Sequence, residues 1–246
     1  MDDQSLRNVL ALLRKVQGSD PTTTALAFIN SLAGKRVNDA ALARISAYII
    51  DQADQGLEVI DNSQLIEEAK TGVRNALKSV SKTFAIGNLH GNIKTLHSQA
   101  AGYVSNLVIL LSASGISLET DIPDDARDLA SEIDQFANAF DDDLLDPVVR
   151  EIAKKHMAVL ATLIRHIPIF GLEPALQSYF ELMLKLRRAD GKSSNDAKGR
   201  LDGAMDTFKK WGERLKSLDD VINTGSNLLT RGQSLTPLLQ YIPGIS

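Results

Sequence analysis

Cysteine is absent from this chain of 246 residues. Without a thiol there is no disulfide framework, no thiolate-bound zinc or iron–sulfur centre and no cysteine nucleophile. The absence suits a reducing compartment. The N-terminus, MDDQSLRNVL, has neither the basic start nor the apolar centre of a secretory leader, so a cytoplasmic location is expected. Aromatic residues make up only 5% of the chain, which argues against a protein that reads RNA by base stacking. Positive charge is not in surplus either. Lys+Arg 27 against Asp+Glu 31 leaves a formal charge of -4, and no nucleic-acid partner is expected.

What the chain does have is apolar content in helical register. It is 43% hydrophobic and 24% charged, with a mean hydropathy of -0.08, which suffices for a packed core. Leu6, Val9, Leu10, Leu13 and Val16 recur at steps of three and four and end before Gly18. Asp20-Pro21 reads as an N-cap followed by a first-turn proline, opening a helix that carries Leu26, Ile29 and Leu32 and ends at Gly34. Leu42, Ile45, Ile49 and Ala53 mark a third helix closed by Gly56. Leu65 to Val80 marks a fourth running toward Phe84. Further helices are expected from about Asn92 to Ser114, from Pro123, from Asp146-Pro147, over Leu172–Leu186 and over about Asp202–Ile222. No run of β-branched residues keeps a period of two. The expectation is an all-α bundle of eight to ten helices. Residues 1–188 form the main body; 189–246 comprise a polar linker and a C-terminal helical segment packed on it.

Charge is segregated. Residues 119–146 hold eleven acids and one base, whereas 185–216 hold ten bases and five acids. Such blocks call for solvent or an opposite partner. Asp141, Asp142, Asp143, Arg187, Arg188, Lys209 and Lys210 are therefore candidate partner-binding residues, with the partner another protein or a second copy. The aspartate run lacks the spacing, glycine and terminal glutamate of a calcium loop and is read as favouring the start of the helix at Pro147.

The segment Phe84-Ala85-Ile86-Gly87-Asn88-Leu89-His90-Gly91-Asn92 resembles the GDxHG stretch of calcineurin-like metallophosphoesterases over about nine residues. In that family the aspartate bridges two metals that activate water. Here Asn88 takes the aspartate's position, and neither a downstream GD-x-x-D-R-G nor a G-N-H-[DE] follows. A neutral amide is a weak ligand for hard metals, so the segment is read as a glycine-rich break between two helices. His90 and His97 are seven apart and His156 and His166 ten apart, too far along a helix for one ion. Gly191-Lys192-Ser193 lacks the leading glycine of a phosphate loop, with Leu186 in its place. No G-x-S-x-G occurs. No cofactor, metal or catalytic residue is assigned, and the chain is expected to be non-enzymatic.

Residues 98–118, SQAAGYVSNLVILLSASGISL, form the longest uncharged run. Its 21 residues match a bilayer crossing in length, but it carries Ser98, Gln99, Ser105, Asn106, Ser112, Ser114 and Ser117. It is read as a central helix buried almost all round. The alternative is a membrane-active effector that inserts Val104, Leu107, Val108, Ile109, Leu110 and Leu111 under a trigger. The tail from Val221 carries Arg231 as its only charge and is expected to pack back on the bundle. The first functional expectation is a non-catalytic helical protein that acts through contacts with other proteins or as a regulatory subunit.

Overall fold

The computed structural model describes residues 4–34, 39–63, 65–115, 118, 122–139, 147–190 and 204–218. All regular structure among them is helical: α1 Gln4–Gln17, α2 Ala25–Ala33, α3 Asp39–Asp61, α4 Glu67–Phe84, α5 Lys94–Ala113, α6 Asp124–Ala139, α7 Pro147–Arg165, α8 Ile167–Phe170, α9 Glu173–Asp190 and a final helix, α10, over 204–218. The all-α expectation holds.

The body is built around two largely enclosed helices. The first is α1, which packs against α3, α5 and α8 and buries Leu6, Val9, Leu10, Leu12, Leu13 and Val16. Its exposed residues, Arg14, Lys15 and Gln17, sit in its last turn, where cations also suit the carbonyl end of the helix. The second is α7, packed on α6, α9, α3 and α2, with Met157, Val159, Leu160, Ala161, Leu163 and Ile164 all buried. The helix α5, expected at the centre, lies at the surface instead. Only Leu96, Ala100, Leu107, Leu110 and Leu111 are buried along it. Lack of charge there reflects a neutral outer face rather than enclosure.

Local chemistry moves two helix boundaries. Asp20 does not cap a helix at Pro21; its carboxylate accepts from the Thr22 N–H at 2.8 Å and closes a turn. The second helix starts at Ala25, capped by the Thr24 hydroxyl on the Ala27 N–H at 3.1 Å, and ends at Gly34 with φ 67. Gly56 does not close α3, which continues to Asp61. A Cβ at Gly56 would lie 3.0 Å from Leu77 Cδ2 and 3.2 Å from Leu6 Cδ2, so this glycine lets α1 and α4 approach α3 closely.

The C-terminal helix is fastened by aromatic packing. Phe208 and Trp211 are fully buried and stack edge-on with each other and with Phe136 of α6, ring centroids 5.0–5.5 Å apart. Burying each such ring contributes about 1.5–3 kcal/mol. Tyr179 of α9 donates its hydroxyl to the Phe208 carbonyl at 3.0 Å. A Cβ at Gly212 would lie 2.5 Å from that same hydroxyl oxygen. The glycine, unfavourable by about 1 kcal/mol in a helix interior, makes the crossing possible.

Candidate functional site

Two surfaces stand out. The first is the outer face of α5. Thr95, Ser98, Gly102, Ser105, Ile109 and Ser112 are all exposed and follow each other at steps of three and four, the spacing of a helix seam. No charged residue interrupts the face after Lys94. Ile109 is 66% exposed, one of the few large apolar side chains so placed. Helix α4 runs alongside, with Gly72 packed against Asn106: a Cβ there would meet Asn106 Nδ2 at 2.5 Å. In that antiparallel register Ile66, 70% exposed at the start of α4, belongs to the same end of the pair as Ile109.

The second is a polar cluster where α3, α7 and α9 meet. His156 is only 6% exposed. Its Nδ1 lies 3.2 Å from Arg44 Nη1, and its Nε2 lies 2.7 Å from Lys185 Nζ. Arg44 also donates to the Glu181 carboxylate. Burial first, then Lys185 and Arg44, push the imidazole down to about 4, with Glu181 opposing. Tyr48, one turn after Arg44, is 8% exposed, and burial raises its phenol. None of these partners follows from a local motif, since Arg44 and Lys185 stand 112 and 29 residues from His156.

The residues singled out in the sequence fall as follows. Asp141, Asp142 and Asp143 lie outside the described residues, as do the side chains of Arg187 and Arg188. Lys209 and Lys210 are exposed on α10, with Lys209 pairing with Asp206 at 3.2 Å. Among the described residues, one side chain of the basic block, Arg214, pairs with the acidic block. Arg214 of α10 binds Asp125 and Glu132 of α6, each at 2.6 Å, and Glu132 also accepts from the Trp211 indole N–H at 2.9 Å. Of the six apolar residues of α5, Leu107, Leu110 and Leu111 are buried, Val104 and Val108 are half-buried against the core, and Ile109 faces out. No helix among the described residues is long and apolar enough to cross a membrane.

The Phe84–Asn92 segment serves the fold. Its Ile86–Asn88 stretch is a single 3-10 turn, and the Asn88 amide donates to the Lys82 carbonyl at 2.7 Å. The carbonyls of Leu89 and Gly91 accept from the Leu26 and Ala25 N–H groups at 2.8 and 2.9 Å. They thereby satisfy donors that the first turn of α2 leaves open. His90 is exposed, and no metal-holding group of three His, Asp or Glu residues occurs among the described residues. His166 is committed to the Leu32 carbonyl, 2.7 Å from its Nε2.

Comparison with protein families, with curated proteins and with solved structures finds no match to this chain.

Proposed function

We propose that this protein is a non-catalytic helical interaction protein that associates through the outer face of α5, its first partner being a second copy of itself. The observation that carries this reading is the uncharged seam Thr95–Ser98–Gly102–Ser105–Ile109–Ser112. Solvated helix faces are ordinarily charged, whereas small residues at seam spacing let two helices approach closely. Ile109, two-thirds exposed within the seam, supplies apolar area to bury. Charge permits a second copy at this place: the chain carries a net -4, and the uncharged seam brings no like charges together when two copies of it meet. The acidic and basic blocks take a lesser part, because Arg214 already engages Asp125 and Glu132.

Light scattering across a concentration series tests the proposal. The full chain is expected to shift from monomer to dimer, and Ile109→Lys to remain monomeric with an unchanged melting temperature. A wild-type chain that stays monomeric throughout, or an Ile109→Lys chain that associates equally well, overturns it. Vesicle flotation lost in Ile109→Lys, with the chain still monomeric, would replace this reading by a membrane-surface role.

A further inference from the structure

Donors outnumber acceptors around His156. A neutral imidazole has one N–H and one acceptor nitrogen. Both of its nitrogens face cationic groups that only donate, Arg44 at 3.2 Å and Lys185 at 2.7 Å. The ring receives one of them, and its own N–H meets the other donor to donor. Tyr48, one turn along α3 from Arg44, adds a hydroxyl that makes no hydrogen bond to the described residues and keeps contact with solvent. The one carboxylate facing the ring, Glu181, is engaged by Arg44, and Lys185 has no carboxylate partner among the described residues. With Arg44 and Lys185 positive and Glu181 negative, the cluster keeps a net positive charge at neutral pH.

We propose that Arg44, Tyr48, His156 and Lys185 form a binding site for a phosphate-type oxyanion. Such an ion is acceptor-rich and meets the surplus: it takes charge-assisted bonds from the guanidinium and the ammonium, and neutral ones from the phenol and the ring N–H. Four oxygens serve four donors, where a carboxylate would offer two. The approach is open, because Lys185 is exposed and the side chains of Arg44 and Glu181 are each 30% exposed, while His156 forms the floor. Lys185 sits on a flexible stem and can leave Nε2 to close over the ion. An anion at this place also counters the two cations that, after burial, disfavour the charged imidazole. Among the described residues, the charged groups facing the ring are Arg44 from α3 and Glu181 and Lys185 from α9, so bound phosphate raises the proton affinity of His156.

The test uses the full chain with 15N-labelled histidine, its ring resonances followed during titration with inorganic phosphate and, at matched ionic strength, with chloride. A saturating shift of His156 with phosphate alone is expected, together with a higher titration midpoint for that ring. Arg44→Gln and Lys185→Met should each weaken binding by about tenfold. Tyr48→Phe should weaken it less. Far-ultraviolet circular dichroism and an unchanged urea midpoint show that each variant is folded. A phosphoserine peptide forms a second arm: tighter binding than inorganic phosphate identifies a phosphorylated chain as the source, and weaker binding a free ion. Equal, non-saturating responses to phosphate and chloride, or unchanged phosphate affinity in the folded Arg44→Gln/Lys185→Met double variant, overturn the proposal.

Discussion

His156 shows how a residue acquires chemistry from distant sequence. The sequence leaves it as either a surface or a core histidine, and no spacing rule foretells Arg44 or Lys185, which chain topology alone brings to the ring. The consequence is a pH dependence. The imidazole titrates at about 4 in the folded chain and near its ordinary 6.5 when unfolded. Between those values the unfolded state binds more protons, so folding is full-strength above 6.5 and weakens as pH falls toward 4. The shift corresponds to about 3 kcal/mol. Urea unfolding at pH 7 and pH 4.5 should show a smaller loss of stability for His156→Gln than for the wild type. An equal loss would mean the ring is not held neutral by its surroundings. His166, also lowered by burial, adds to the wild-type trend in the same direction and remains in the variant.

At the scale of elements, glycines report close crossings that periodicity alone cannot. Gly56 and Gly212 both sit inside helices, where a linear reading takes them for stops or for costs. Each is a place where a neighbouring side chain reaches the helix backbone. Gly212→Ala is expected to destabilise by about 1–3 kcal/mol through overpacking against Tyr179, despite alanine's better helix propensity. Adding Tyr179→Phe removes the hydroxyl at 2.5 Å but leaves Cζ at 2.9 Å, so denaturant melts should show partial rescue. Full additivity of the two changes would contradict direct contact. Helix existence was legible because the three-and-four spacing runs through nearly every segment. Which helix is central was less so. The uncharged run at 98–118 suggested enclosure, yet burial follows large apolar side chains: the leucines of α1 are buried, and the small residues Ser98, Gly102, Ser105 and Ser112 of α5 are not. The start of α2 was misplaced because an Asp-Pro pair makes a turn as readily as a cap.

At the scale of the molecule, Arg214 ties the C-terminal helix to Asp125 and Glu132 of α6, with the burial of Phe208 and Trp211 supplying most of the attachment. The sole tryptophan therefore reports on α10. Its fluorescence and far-ultraviolet circular dichroism should lose signal at the same urea concentration, as one cooperative unit requires. An earlier fluorescence transition would show α10 leaving first. Phe208→Ala should cost about 3–5 kcal/mol, and Arg214→Ala, whose partners are solvent-exposed, about 1 kcal/mol or less. The uncharged surface of α5 was visible in the sequence as a run without Asp, Glu, Lys or Arg. Its outward direction was not, because that depends on which neighbours α1 and α4 present. The absence of cysteine allows the most direct measurement of association through this face, since a single introduced thiol is unique in the chain. Cysteine placed in turn at Ser98, Gly102, Ser105, Ile109 and Ser112, with exposed Ser131 of α6 as control, is oxidised under mild conditions. Disulfide-linked dimers should form fastest at the seam position where two copies of α5 cross, because a disulfide needs Cα atoms within about 7 Å. Seam positions that cross-link no faster than Ser131 would contradict the account.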